Sequence, residues 1–395
     1  MIEILDCPVD VDFLVGHHRH CLVAQIPNHL ERTGVGLVVA DPERQWRTVR
    51  SVLDVVAGGD SGFRKVHLLV FPEGCLPLVH FDDMLAFLAE RFRPSTVTMF
   101  GLEHVTLRTY RELLERFGED NPQALDRVLK DLDAGSEERA PVNLCCIAVK
   151  ERSGRLRVFL EAKGHPFHGE EFLDKARDLY QGQHVYFFQC RQTFNFMALV
   201  CLDYLYRDLY SSNIRRIIDH ANQRYFATRQ TLDALFVIQC NPKPEHQAYR
   251  GILSGFYGEF LEDTPGVRDT VTVFGNCSDE STIGDSTAGD HFGVSSAVIG
   301  GRHRLAPVKL AEFCFDDFGG APLYRLRFGT GTRLYYFNLP LHHEQDPRST
   351  RVPLKVHSIL RPTAEGGWLK MTGDEILHGP GANDEDRGPE GVGPR

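Results

Sequence analysis

Apolar and polar positions follow two periods along this chain. Residues 66–71 form a continuous apolar run, the pattern of a strand buried on both faces. Shorter runs at 37–40 and 95–100, the latter closed by Gly101, predict two more strands. Between the first two strands, residues 41–57 place Trp46, Val49, Val52, Leu53 and Val56 at helical spacing. This strand, helix, strand, helix rhythm predicts an α/β layered sheet.

Residues 107–132 break the rhythm. They are rich in Arg, Glu, Asp and Leu with apolar positions at helical spacing, and a polar stretch follows. The reading is a surface helical insertion over about 107–140, a solvated cover. Beyond it, 142–149 and 156–160 are strand-like around Ser153-Gly154, a hairpin signal. Strands are predicted at 185–190, 194–200, 234–239 and 271–274, and helices at 171–180, 212–230 and 246–262. Short strands at 309–315, 323–328 and 334–337 follow. Residues 379–395 are rich in Gly, Pro, Asp and Glu and predict a disordered tail. The domain division is then 1–345, a C-terminal extension over 346–378, and the tail.

With 395 residues, 42% hydrophobic and 25% charged, the chain has the profile of a soluble globular protein. A net charge of −10 argues against a nucleic-acid partner. No stretch reaches the roughly 18 apolar residues of a membrane span, so no membrane partner is expected. The first residues carry acids where a signal peptide has a basic region. Ten scattered cysteines without a Cys-x-x-Cys predict reduced thiols in a cytoplasmic protein, with neither a disulfide framework nor a metal cage.

The candidate chemistry lies at strand ends. Cys201 ends the apolar run that begins at Phe194, and the run at 66–71 leads into Pro72-Glu73. A cysteine attacks as a thiolate and needs a base. No His is near Cys201 in sequence, so a carboxylate base with a lysine to hold an oxyanion is the other solution. Lys163 ends a strand and enters the Gly164-His165-Pro166 turn. Any one of these residues alone would be read as core or surface. Their order carries the argument.

Glu, Lys and Cys in that chain order, each at a strand end, resemble the carbon–nitrogen hydrolase (nitrilase) superfamily. Leu69-Val70-Phe71-Pro72-Glu73 resembles its base motif, and Gly101-Leu102-Glu103 the following strand end. The hairpin from Asn143 to Lys163 resembles its lysine motif, and Cys201-Leu202-Asp203 its Cys-x-Asp nucleophile turn. Asn276 and the segment Phe292-Gly293-Val294-Ser295-Ser296 resemble later family positions. The spacings are 90 positions from Glu73 to Lys163 and 38 from Lys163 to Cys201. The chain departs from the family in the insertion, in Tyr204-Leu205-Tyr206-Arg207 after Asp203, and in Lys-Gly-His-Pro after the lysine.

The resemblance implies a four-layer α-β-β-α sandwich and a cofactor-free hydrolase acting on a small-molecule amide or nitrile, with amide favoured. It implies Cys201 as nucleophile, Glu73 as base, and Lys163 with the Leu202 N–H as oxyanion donors. Glu170 or Glu171 would be a second carboxylate, and His165, Asp203 and Tyr204 candidate substrate contacts. It also implies a homodimer or larger homo-oligomer. The alternatives are an N-acyltransferase using the same thioester and a catalytically altered binding or regulatory module in a larger assembly.

Overall fold

The computed structural model describes residues 2–13, 19–58, 63, 65–166, 179–191, 194–206, 212–225, 230–243, 251, 253, 264, 266–267, 269–284, 292–300, 314–317, 323–340 and 354–378. Across them the chain is mixed α/β, with three sheets and six helices. The first sheet has the strand order β19 (Trp368–Lys370), β18 (Lys355–Pro362), β17 (Arg333–Leu339), β2 (Arg19–Gln25), β5 (Leu68–Val70), β6 (Thr96–Thr106), β7 (Pro141–Lys150) and β8 (Leu156–Ala162). The second runs β1 (Glu3–Val9), β9 (His184–Cys190), β10 (Phe194–Val200), β11 (Ala234–Ile238), β12 (Val271–Gly275), β14 (Ser296–Gly300), β16 (Leu323–Arg327) and β15 (Cys314–Asp317). A small third sheet joins β13 (Thr282–Ile283), β3 (His29–Thr33) and β4 (Gly36–Val39).

The two large sheets share a plan. In the first, β2, β5 and β6 are parallel, β7 and β8 follow antiparallel, and β17 flanks β2 antiparallel. In the second, β10, β11 and β12 are parallel, β14 and β16 follow antiparallel, and β9 flanks β10 antiparallel. Such parallel strands are buried on both faces, so their period of two is hidden in apolar runs. Their side chains still alternate. Leu68 and Val70 of β5 join Phe194, Phe196, Ala198 and Val200 of β10 in one core drawn from both sheets. Leu69 turns instead to the helices α1 (Pro42–Gly58), α2 (Phe81–Arg91), α3 (Leu107–Arg116) and α4 (Pro122–Asp133). Met197 and Leu199 of β10 turn to α5 (Asn213–Tyr225). The short helix α6 (Gly373–His378) follows β19.

Several elements differ from the pattern-based expectation. The strand expected to close at Gly101 continues to Thr106. Gly101 is where the turn after β5 crosses it: a Cβ there would lie 2.2 Å from the Gly74 nitrogen and 2.5 Å from Glu73 Cα. The strand thus needs glycine for a close approach. The insertion is two helices, because Pro122 starts a new one at its first position. It is also more than a solvated cover. Tyr110, Leu113, Leu114 and Val128 are core residues, and fully buried Asn121 accepts from the Leu160 N–H and donates to the Val158 carbonyl at 2.8 Å each. The extension after 345 contributes β18 and β19 to the first sheet. The helices expected at 171–180 and 246–262 and the tail fall largely outside the described residues. No helix among the described residues is long and apolar enough to cross a membrane.

Candidate active site

Ligand and catalytic sites in sheets of this kind gather at the carboxyl ends of parallel strands. Glu73 stands three residues past β5, Cys201 directly past β10, Cys240 two past β11 and Asn276 one past β12. Lys163 directly follows β8. Phe159 of β8 faces the core between the sheets while Leu160 and Ala162 face the helices. Lys163 therefore emerges on the inner face by the alternation of the strand.

The structure joins Glu73 and Lys163 directly. Lys163 is fully buried and its Nζ donates to Glu73 Oε1 at 2.9 Å. Asn143 Nδ2 donates to the same oxygen at 2.8 Å, and the Cys240 N–H donates to Oε2 at 2.9 Å. Asn28 Nδ2 donates to the Glu73 carbonyl at 2.9 Å, fixing the turn. Both carboxylate oxygens are thus satisfied by groups from β7, β8 and the end of β11, which is how a charge is tolerated out of water.

Cys201 begins a single 3-10 turn, Cys201–Asp203, with φ of +43°. A side-chain-bearing residue in the left-handed region costs about 1–3 kcal/mol and recurs at functional sites. The Leu202 N–H lies in the first positions of that turn, where amides have no acceptor within the helix. Asp203, almost fully buried, ties this turn to the lysine loop: both carboxylate oxygens accept the Gly164 N–H at 3.0 Å, and Oδ1 pairs with His165 Nδ1 at 2.9 Å. His165 stacks on Tyr206 at a centroid distance of 3.5 Å, and Asn213 Nδ2 donates to the Asp203 carbonyl at 2.8 Å. The lysine loop and the cysteine turn are therefore one hydrogen-bonded unit. Cys201 also stands close enough to Cys240 to act on it. The hydrogen bond with Cys277, then burial, then the charges of Cys277, Glu73 and Cys201 all push the Cys240 thiol pKa well up.

The remaining expected contacts divide. Asp203 holds both His165 and the Gly164 backbone. Tyr204 is fully buried with Ile214 and Ile217 in the cluster against α5 and meets Phe274 edge-on. Glu170 and Glu171 lie outside the described residues. Among the described residues no group of three or more His, Cys, Asp or Glu side chains is arranged to hold a metal.

Sequence reasoning assigned no role to Asn143, Asn28, Cys240 or Glu161. Asn143 carried a signal, a lone amide inside the apolar run of β7. Glu161 carried the same signal in β8. Its carboxyl is buried, Oε2 accepts only a long 3.4 Å bond from the Tyr186 N–H, and Oε1 has no partner among the described residues. Burial first, then the charge of Asp203, holds its pKa well above the usual carboxylate range. At the far end of the site Asn276 accepts from the Asn241 and Cys277 N–H groups and donates to the Asn241 and Gly293 carbonyls. Its own N–H donates to Ser295 Oγ at 2.9 Å.

No family model matches this chain, and no curated protein matches its sequence.

Proposed function

We propose that this chain is a carbon–nitrogen hydrolase of the nitrilase type that cleaves an amide through a cysteine thioester. The observation that carries the reading is the buried Lys163–Glu73 pair, 2.9 Å between Nζ and Oε1, on a loop bonded to the Cys201 turn through Asp203. A lysine is rarely buried fully without such a partner. The packing supports the reading too: one core is drawn from both large sheets and helices pack against the other face of each, as an α-β-β-α sandwich would require, and the candidate residues follow strands of both sheets.

The chemistry follows from the groups present. Glu73 takes the Cys201 thiol proton as sulfur attacks the amide carbon. Negative charge develops on the former carbonyl oxygen, where the Lys163 ammonium and the Leu202 N–H stabilise it. The carbon–nitrogen bond breaks as Glu73 passes its proton to the departing amine, leaving a thioester. Glu73 then takes a proton from water, which attacks the thioester carbon. The carbon–sulfur bond breaks, the acid departs, and the proton returns to sulfur. The Asp203–His165–Gly164 contacts position lysine against cysteine, and a loop shift of 1 Å there would cost about 100-fold.

The test is amine or ammonia release from a panel of small amides and nitriles, with Cys201→Ala and Glu73→Gln variants beside the wild type. Each variant is expected to lose at least about 1000-fold in kcat/KM on any amide the wild type cleaves. Wild-type turnover in either variant would sink the mechanism. Cleavage confined to nitriles would move the substrate class.

A further inference from the structure

The two cysteines past β11 and β12 have no part in the proposed hydrolysis. Cys240 Sγ and Cys277 Sγ are 3.4 Å apart, with Cys277 donating. Their placement follows from register. Ile238 pairs with Gly275 in the parallel ladder, and the Gln239 N–H donates to the Gly275 carbonyl at 2.8 Å, so Cys240 and Cys277 fall at matching positions just past the strand ends. Neighbouring strands lie about 4.8 Å apart. Disulfides span Cα separations of about 4.4–6.8 Å. The ladder spacing therefore suits an intramolecular disulfide, and closing it moves the residues just past the strand ends and not the paired strands themselves.

Two further observations turn this pair into a site. The pair lies in a small apolar cluster of Leu30, Leu37, Val39, Cys240, Cys277 and Phe292, under the three-stranded sheet of β13, β3 and β4. That cover includes a strand of only two residues. Both thiols are buried beneath it, so an oxidant that reaches them has to be as small as a peroxide. The Cys240 backbone, moreover, supplies the N–H that holds Glu73 Oε2, and Cys240 Sγ receives Asn28 Nδ2 at 3.8 Å. The Asn276 side chain, which accepts from both the Cys277 and Asn241 N–H groups, stiffens the same junction.

We infer that Cys240 and Cys277 form an oxidative modification site, closed to a disulfide by a hydroperoxide, and that closure switches off the Glu73 base. The second half rests on the hydrolase reading and the first does not. One thiol gives up its proton and attacks a peroxide oxygen; the oxygen–oxygen bond breaks, and a sulfenic acid and one water form. The other thiol attacks that sulfur; the sulfur–sulfur bond forms, the sulfur–oxygen bond breaks, and its proton leaves with the departing hydroxide as a second water. Two thiols and hydrogen peroxide thus give a disulfide and two waters, and a dithiol reductant reverses the change. The sulfurs must approach from 3.4 Å to about 2.0 Å, which draws on the Cys240 backbone and the hydrogen bond it makes to Glu73.

The test uses the full chain. Protein titrated with hydrogen peroxide is blocked with an alkylating agent and digested without reduction, and a linked peptide joining 240 and 277 is sought by mass spectrometry. Cys201→Ala protein is treated alike, so that the result is independent of the nucleophile. In parallel, the rate of iodoacetamide labelling at Cys201 is measured before and after oxidation in wild type and in Cys277→Ser. The expected result is the linked peptide in both proteins, and a fall of about 10- to 100-fold in Cys201 labelling in wild type that dithiothreitol restores and Cys277→Ser lacks. Absence of the linked peptide in both proteins overturns the site. A linked peptide with unchanged Cys201 labelling overturns the switch. If reduced wild type labels Cys201 no faster than its other cysteines, the hydrolase reading fails while the linked peptide still decides the dithiol.

Discussion

The Lys163–Glu73 pair makes a prediction that needs no substrate. Lys163→Met keeps most of the aliphatic stem and removes the ammonium. Glu73 would then keep the Asn143 amide and the Cys240 N–H but lose its only cationic partner among the hydrogen bonds described. Both side chains are out of water, at 0% and 7% exposure, so the charge left behind is not rehydrated. Removing one partner of a buried pair costs about 3–5 kcal/mol, whereas an exposed pair contributes about 0–1 kcal/mol. Glu73→Gln alone removes the carboxylate charge facing the buried ammonium and is expected to cost a similar amount. The double variant restores neutrality and is left with one poorly matched N–H, a cost of about 1–3 kcal/mol. It should therefore be at least as stable as either single variant, with a strongly non-additive cycle. The assay is urea unfolding followed by both fluorescence and far-UV circular dichroism, with coincident transitions and equal slopes required before midpoints are compared. Single variants that each cost under about 1 kcal/mol, or costs that simply add, would refute a mutually buried pair.

Other variants probe the supports of the site. Gly101→Ala drives a Cβ to 2.2 Å from the Gly74 nitrogen, and backbone cannot step aside, so Glu73 should be displaced and iodoacetamide labelling of Cys201 should slow by about 100-fold with far-UV circular dichroism unchanged; unchanged labelling would remove Glu73 as the base. His165→Asn keeps a donor where Nδ1 meets Asp203, whereas His165→Gln places its amide near Nε2. Labelling of Cys201 should survive the first and fall about tenfold or more in the second, and equal effects would show that the Asp203 bond is not what matters. Glu161→Gln tests the raised carboxyl. The folded chain keeps a proton there that the unfolded chain releases above about pH 4.3, so stability is unaffected below that value and falls as pH rises toward the folded pKa, by up to about 1.4 kcal/mol per pH unit. The variant should be more stable than wild type near neutrality, with a flatter dependence of urea midpoint on pH, and parallel curves would refute the assignment.

Which parts were legible in the sequence has a physical pattern. Strands buried on both faces, such as β5, β10 and β11, announce themselves as apolar runs because neither face meets water. The β7–β8 hairpin is marked by a turn that needs Gly154 at φ of +87°. Strands with one wet face are not marked in this way. β1, with exposed Glu3 and Asp6 at the sheet edge, is held by pairing with β9 far along the chain, and β18, with exposed Lys355 and His357, by pairing with β17 and β19 on either side of it. Tertiary pairing overrides local pattern there.

The site divides the same way. Glu73, Lys163 and Cys201 are legible as polar groups at the ends of apolar strands. Their supports are not, because the bonds from Asn143 and Cys240 to Glu73 span 70 and 167 positions. The shared plan of the two sheets explains why those supports fall where they do. β5 is the middle parallel strand of the first sheet and β11 the middle one of the second. Each ends beside the other once the sheets stack, so the carboxylate leaving one strand meets the backbone leaving its counterpart. A carboxylate held in this way depends on the relative placement of both sheets. It is therefore sensitive to any change at the end of β11, and that sensitivity is what a disulfide at Cys240 would use.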